Sequence, residues 1–314
     1  MNILITGGAG FIGSSLADNL LVDGHKIIVV DNFNDYYDVK IKWQNVSANM
    51  TNENYKLCVA DIENKDALRK IFEENHIDCI VHLAGRAGVR PSIEAPELYV
   101  KSNVLGTVHV LELMKDVGIK KLVFASSSSV YGNCKAVKFS EDLNVREPIS
   151  QYAASKSSDE QFAYTYSKLY GIHIVCLRFF TVYGPRQRPD LAINKFTNLI
   201  KSDKPIPMYG NGTTMRDYTF IEDIIQGIKG AIAYDKTLYE IINLGGGEPI
   251  TLKRMIETIE KVLGKKAIIE QLPMQAGDVD KTVCDWSKAQ RLLGYNPQTT
   301  FEEGIKKFIE WSNK

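Results

Sequence analysis

Tyr152 and Lys156 stand four residues apart in Tyr152-Ala153-Ala154-Ser155-Lys156, a spacing that puts two side chains on one face of a helix. Upstream lies the serine run Ser126 to Ser129, followed by Val130-Tyr131-Gly132. A free tyrosine has a pKa near 10 and is a poor base at neutral pH. A neighbouring ammonium and an oxidised nicotinamide both favour the phenolate, and about 4 kcal/mol of differential stabilisation brings it to neutrality. A serine hydroxyl can donate to, or relay a proton from, the hydroxyl that reacts. The chemistry such a group could do is to take a proton from an alcohol while a nicotinamide takes the hydride. Alone, Tyr-x-x-x-Lys is a common chance pattern on exposed helices, so the rest of the chain has to supply the cofactor and the scaffold.

The N-terminus supplies the cofactor signature. Asn2 to Thr6 reads as a short buried strand, then Gly7-Gly8-Ala9-Gly10-Phe11-Ile12-Gly13 opens a helical pattern carried by Phe11, Ile12, Leu16, Leu20 and Leu21. Gly8-x-Gly10-x-x-Gly13 has dinucleotide spacing, and Gly7 adds one more glycine at its start. Glycine permits the tight turn and a close backbone approach to phosphate, and the following helix N-terminus favours a pyrophosphate. A second strand, Lys26 to Val30, ends in Asp31, about 20 residues on, where a carboxylate meets the ribose and disfavours a 2′-phosphate. NAD is therefore expected over NADP. Asp61-Ile62 follows a third strand, Tyr55 to Val59, and stands either by the adenine or at the start of a helix before Asn64. Leu83, Ala84 and Gly85 follow a fourth, Cys79 to Leu83, and set small residues against the cofactor; His82 reads as a packed strand residue.

The elements that must position these groups form an alternation of strands and helices up to about residue 180, including Lys121 to Ala125, His173 to Leu177 and, later, Ile241 to Leu244. This predicts an α/β fold, a doubly wound parallel sheet of the Rossmann kind. After Tyr183-Gly184-Pro185 the texture changes to proline- and glycine-rich segments, then to helices over Ile221 to Tyr234, Leu252 to Leu263 and Phe301 to Trp311. The expected division is 1–180 for cofactor binding, rejoined by segments near 215–245, and 181–314 as a smaller α/β substrate-binding domain over the carboxyl edge of the sheet. Broad apolar faces on Glu97 to Val117 and Gln151 to Tyr170 suit either packing within the subunit or a four-helix homodimer interface. The polar stretch Lys40 to Asn54 receives no assignment.

Composition narrows the classes. The chain has 314 residues, 38 basic and 38 acidic, and is 44% hydrophobic. A balanced charge gives no attraction to nucleic acid or membrane, no apolar run reaches spanning length, and no metal-ligand cluster stands out. The N-terminus runs straight into a strand, without a signal-peptide pattern. Five cysteines, without a Cys-x-x-Cys, read as reduced structural thiols of a cytoplasmic protein.

Together these motifs resemble the extended short-chain dehydrogenases/reductases, and among them the NAD-dependent nucleotide-sugar epimerases, over essentially the whole chain. The resemblance implies that Tyr152 is the base, that Lys156 holds the nicotinamide ribose and lowers the tyrosine pKa, and that Ser127, counted back from Val130-Tyr131-Gly132, contacts O4 of the sugar. It implies tightly bound NAD, with Asn32, Asn103, Ser126 and Phe179 among its contacts. Sugar 4,6-dehydratases and uronate decarboxylases carry an acid just after the serine; this chain has Ser128 and Ser129, which points to plain epimerisation. Asp31-Asn32-Phe33-Asn34-Asp35-Tyr36-Tyr37-Asp38, Ala87-Gly88-Val89-Arg90, the run from Arg178 through Thr181 to Pro185, and Met274-Gln275-Ala276-Gly277-Asp278-Val279 are similar to segments of UDP-glucuronate 4-epimerases. UDP-glucose 4-epimerases usually have Asn at the position of Thr181, and many have Arg at that of Gln275. The resemblance implies substrate contacts from Arg90, Ser128 and Thr181. Arg188 would pair with a sugar carboxylate, and Arg216 and Asp278 would serve the diphosphate and the uridine ribose side. Gly85-Arg86 departs from the family pattern beside the cofactor. Other readings remain open: a UDP-glucose/UDP-galactose or N-acetylhexosamine 4-epimerase, a non-catalytic NAD-binding regulator, and a net-redox sugar reductase that releases its cofactor.

Overall fold

The computed structural model describes residues 1–273 and 281–313. The first ten strands of the described residues are β1 Asn2–Thr6, β2 Lys26–Asp31, β3 Tyr55–Val59, β4 Cys79–His82, β5 Lys121–Ser127, β6 His173–Phe179, β7 Thr181–Tyr183, β8 Ile206–Tyr209, β9 Met215–Phe220 and β10 Tyr239–Leu244. Seven of them build one parallel sheet in the order β10-β6-β5-β4-β1-β2-β3. The order reverses between β1 and β4, which opens a crevice at their carboxyl ends, the place where ligands bind in such sheets.

Successive strand residues point to opposite faces, and here both faces are apolar. Ile3, Ile5, Val29, Val81, Val123 and Leu177 pack on one side. Leu4, Ile28, Ile80, Leu122, Phe124 and Ile174 pack on the other. A sheet buried on both faces reads as continuous apolar runs, as β1, β2 and β4 do. Helices Phe11–Val22 and Ile221–Ala233 cover the first face; Lys65–Glu74 and Gly106–Val117 cover the second, with Gln151–Tyr170 alongside them.

The helices start where the chain supplies caps. The Ser150 side chain accepts from Ala153 N at 3.1 Å and opens Gln151–Tyr170. Asn64 accepts from Ala67 N and opens Lys65–Glu74. Asp61 is thus not the cap: it accepts from Glu63 N and Asn32 Nδ2 in the preceding turn. Residues 97–117 do not form one regular helix. Pro96–Tyr99 passes through a π-helical turn, Val100–Leu105, into Gly106–Val117. The unassigned polar stretch contains a helix, Val39–Ser47, opened by Asp38.

Beyond Tyr183 two small sheets form. β7, β9 and β11 Pro249–Thr251 make one; β8 and β12 Ile269–Leu272 make the other. Buried Asp217 on β9 accepts from the backbone N–H of Gly246, Gly247 and Cys284, and so fastens two later loops to this strand. All five cysteines are free thiols, and no helix among the described residues is long and apolar enough to cross a membrane.

Candidate active site

A cavity of about 480 Å³ opens at the carboxyl ends of β1, β4 and β5. One end is the glycine loop. Gly7 has φ +69°, and a Cβ there would lie 2.8 Å from Ala84 N; at Gly13 a Cβ would lie 2.3 Å from Gly7 O. The loop therefore folds on itself and against Ala84 only without side chains. Gly10 is the N-cap of Phe11–Val22 and no side chain caps that helix, so the first-turn N–H groups of Phe11, Ile12 and Gly13 face the cavity and suit an anion. Asp31 sits beside them, 7% exposed, accepting from Ala9 N at 3.1 Å and Phe33 N at 2.9 Å.

Lys42 completes this end and was invisible in the sequence. Its ammonium lies 3.7 Å from Asp31 Oδ1 and donates to Asn34 Oδ1 at 3.0 Å. Burial pushes its pKa down, against the opposing pull of Asp31. Asn45, one turn on, donates to Ala9 O and ties the same short helix to the glycine loop. No periodic pattern marks either residue, since the helix is polar on most faces.

The other end holds the proton-handling groups. Tyr152 and Lys156 project from the first turns of Gln151–Tyr170. Burial raises the Tyr152 pKa, while the Ser127 hydroxyl and the Arg188 charge act to lower it. Ser127 Oγ accepts from Ser129 N at 3.1 Å, which leaves its O–H free to donate toward the cavity. Ser126 differs: its hydroxyl is spent on Glu160 Oε1 at 2.5 Å. The geometry separates the two serines in the way the count from Val130 does. Lys156 is buried, over the Phe124 ring at 4.8 Å. His82 is packed, not exposed: its Nδ1 meets Thr6 Oγ1 at 2.6 Å and its Nε2 meets Thr107 Oγ1 at 3.1 Å. Burial and the Lys156 charge push its pKa down to about 3, so it is neutral.

Arg188 reaches this end from the segment after Gly184. It donates through Nε and Nη2 to both oxygens of Asp190 at 3.0 and 2.8 Å and stacks over the Tyr36 ring at 5.2 Å. The Tyr36 and Tyr99 hydroxyls both donate to Ala87 O at 2.9 Å, and the Tyr99 ring meets that of Tyr152 edge-on. Three loops, 32–38, 85–90 and 186–190, thus converge on Tyr152.

Most residues singled out from the sequence line this cavity, including Asn32, Ile62, Leu83, Gly85, Phe179 and Thr181. Four do not. Asp61 is held in its turn by Asn32. Asn103, in the π-helical turn, is fully buried; it accepts from Arg86 N and donates to Arg86 O and Ser155 Oγ, clamping the 85–88 loop from behind. Arg90 stacks on Tyr209 at 4.8 Å, and Arg216 on β9 donates to Met215 O. Asp278 and Gln275 lie outside the described residues. Arg86 lines the cavity, as its place beside Gly85 suggested.

A buried network missed by sequence reasoning holds the serine run. Arg178 pairs with both Glu160 oxygens at 2.8 and 2.7 Å and donates to Tyr131 Oη at 2.9 Å, and Tyr131 donates to Asn243 Oδ1. It joins β5, β6, β10 and the helix of Tyr152 in one polar knot.

A Rossmann sheet with a glycine loop and Asp31 at one end of the cavity, and a Tyr-x-x-x-Lys helix with a serine at the other, defines an extended short-chain dehydrogenase/reductase. The family model described as GDP-mannose 4,6 dehydratase matches residues 4–308, and the chain belongs to that family. It is 48% identical over 313 residues to a UDP-glucuronate 4-epimerase of Thermodesulfobacterium geofontis, covering 99% of this chain and 96% of the relative. A UDP-glucuronic acid 4-epimerase from Bacillus cereus, solved with UDP-glucuronic acid and NAD, superposes with a TM-score of 0.94 at 37% identity, over 100% of this chain and 99% of that one. A UDP-glucose 4-epimerase of Thermotoga maritima with UDP-glucose gives 0.90 at 31% identity, with the same coverage.

Proposed function

We propose that this protein is an NAD-dependent UDP-sugar 4-epimerase, acting on UDP-glucuronate to give UDP-galacturonate. The observation that carries the reading is the convergence of Tyr152, Ser127 and Arg188 at one end of a cavity whose other end is a phosphate-binding loop with a ribose-binding acid. NAD, held by the glycine loop, Asp31 and Lys156, supplies a hydride acceptor and donor. The side-chain-free cradle of Gly7, Gly10 and Gly13 suits its pyrophosphate.

Tyr152, as phenolate, takes the proton from the sugar 4-hydroxyl, and the Ser127 O–H donates to the same oxygen as it becomes a carbonyl. The 4-keto sugar then turns about its diphosphate linkage and presents its other face, and Tyr152 returns the proton. Arg188 holds the sugar carboxylate with the N–H groups that Asp190 leaves over, an arrangement an arginine fork permits. Thr181 supports the carboxylate from β7. A 4-keto uronate is a β-keto acid, and fixing its carboxylate keeps it from losing CO2. Ser128 and Ser129 follow Ser127, and neither is an acid that could help expel a C6 substituent. Arg90, Ser128, Arg216 and Asp278 are assigned to the rest of the UDP-sugar.

We assign residues 1–180 with the 215–245 return to cofactor binding and 181–314 to the substrate. A homodimer through the 97–117 and 151–170 helices is supported by the exposed Leu98, Val100, Leu105, Phe162 and Leu169, and a cytoplasmic setting by the free thiols. The decisive test is incubation of the purified protein with UDP-glucuronate and, separately, UDP-glucose, without added NAD, with products read by proton NMR at C1 and C4. UDP-galacturonate at a near-balanced equilibrium is expected. UDP-galactose alone would move the assignment to the hexose epimerases.

A further inference from the structure

One turn beyond Lys156 on the same helix is a side chain with no part in the reaction above. Asp159 is fully buried, its carboxylate lies 4.0 Å from Lys156 Nζ, and neither of its oxygens has a hydrogen-bond partner. A buried carboxyl without hydrogen bonds is costly, and such a group is neutral or held by a charge. Burial pushes the Asp159 carboxyl up, with the Lys156 charge and, more weakly, the nearby Thr107 hydroxyl pulling the other way. Burial also drives the Lys156 pKa down, and the strongest influence opposing that is Asp159.

The surrounding groups leave Lys156 no better partner. Glu160 on the same helix is taken by Arg178 and Ser126. From the Gly106–Val117 helix comes the Thr107 hydroxyl, bonded to His82. From β4 comes His82 itself, neutral. β5 offers the Phe124 ring, and β6 the Cys176 thiol, which burial keeps protonated. Asp159 is the acid beside Lys156, among the described residues, that no other cation pairs with.

We infer that Asp159 is the positioning residue of the Tyr152–Lys156 pair: its buried carboxylate, 4.0 Å from the Lys156 ammonium and without a hydrogen bond of its own, pairs with that ammonium and holds the Lys156 side chain against the cavity. The inference rests on the reading of Tyr152 and Lys156 as the proton-handling pair. Without the Asp159 charge, Lys156 loses its proton at lower pH, and Tyr152 loses both a carboxylate that raises its pKa and, with the Lys156 proton, a cation that favours its phenolate; the inference requires the second loss to be the larger.

The test compares the NAD-loaded protein with its Asp159→Asn variant across the neutral and alkaline range. It uses two readouts: the pH profile of kcat with UDP-glucuronate, and the phenolate absorbance of Tyr152 after subtraction of the Tyr152→Phe protein. In the variant, the alkaline limb of kcat should move to lower pH by about one unit or more, and the Tyr152 phenolate should appear at higher pH, with KM changed less than about threefold. An unchanged profile with an unchanged phenolate titration, or a Tyr152 phenolate that appears at lower pH, with NAD content intact, overturns the inference. Should Asp159→Asn fail to fold, Asp159→Glu keeps the carboxyl and should retain the wild-type titration; a displaced one overturns the inference. The titration needs no epimerisation, so failure of the enzyme to turn over UDP-glucuronate counts against the proposed function and leaves this test standing.

Discussion

At the scale of single residues, Arg188 does more than its spacing suggested. Its charge acts to lower the Tyr152 pKa, and it also presents the N–H groups that suit a carboxylate. Two consequences follow from one side chain. Arg188→Ala should raise KM for UDP-glucuronate by about tenfold or more, the loss of a charge-assisted pair, and leave KM for UDP-glucose within about twofold. The same change removes a group that lowers the Tyr152 pKa, so the acid limb of kcat should move to higher pH. Steady-state kinetics on both substrates over a pH series checks the two together; equal effects on both KM values sink the carboxylate role. The types and spacing of Tyr152, Lys156, Ser127 and Asp31 made them readable because each belongs to a short contiguous motif. Lys42 and the Arg178–Glu160 pair were not readable, because each meets its partner from a different element and no local spacing relates the two; Asn103 was named only as a cofactor contact implied by the resemblance, and its clamp on Arg86 was not readable. Lys42 sits in a polar helix with no apolar stripe to orient it, and Asn103 works through a π-helical turn that no periodicity announces.

At the scale of elements, the helices legible in the sequence carry an apolar stripe, and several of them also a side-chain cap. Leu252–Leu263 begins at Thr251, whose side chain accepts from Arg254 N. Phe301–Trp311 begins at a capping box of Thr300 and Glu303. The glycine loop is the element on which cofactor retention turns. A methyl group at Gly13 meets backbone on two sides, Gly7 O and Gly8 Cα at 2.7 Å, and backbone cannot step aside as a side chain can. Gly13→Ala is therefore expected to open the loop and to lose bound NAD on purification, with a stability loss of about 1–3 kcal/mol. Gly24, at φ +82° with nothing near its Cβ, gives the control. Gly24→Ala should cost about 1 kcal/mol through backbone strain alone and keep its NAD. Cofactor content after denaturation, read by absorbance, separates the two. Equal NAD content in both variants would falsify the cradle role of Gly13.

At the scale of the whole molecule, buried titratable groups in both halves of the chain give the fold a pH dependence of mixed sign. His82 is held neutral with its pKa pushed down to about 3. Its contribution is complete above the unfolded value near 6.5 and is lost as pH falls through that range. Asp217 has the opposite sign. Burial pushes it up to about 6, against the backbone donors of Cys284, Gly246 and Gly247. The folded state binds that proton more tightly than the unfolded chain does, so its contribution is complete below about pH 4 and is lost as pH rises through about 6. Asp217→Asn keeps the shape and removes the titration, but the amide oxygen cannot accept all the bonds the carboxylate takes. The variant should be less stable than the wild type by about 1–3 kcal/mol at acid pH. That difference should shrink by up to about 3 kcal/mol as pH rises past neutrality, because only the wild type then bears the cost of a buried charge. Urea midpoints measured at matched pH values for the two proteins read this directly. A gap that widens with rising pH would mean that the three backbone donors outweigh burial and hold Asp217 as a carboxylate. The segment after Cys284 would then be fastened to β9 by an ionic clamp, not by hydrogen bonds to a group that folding prefers neutral.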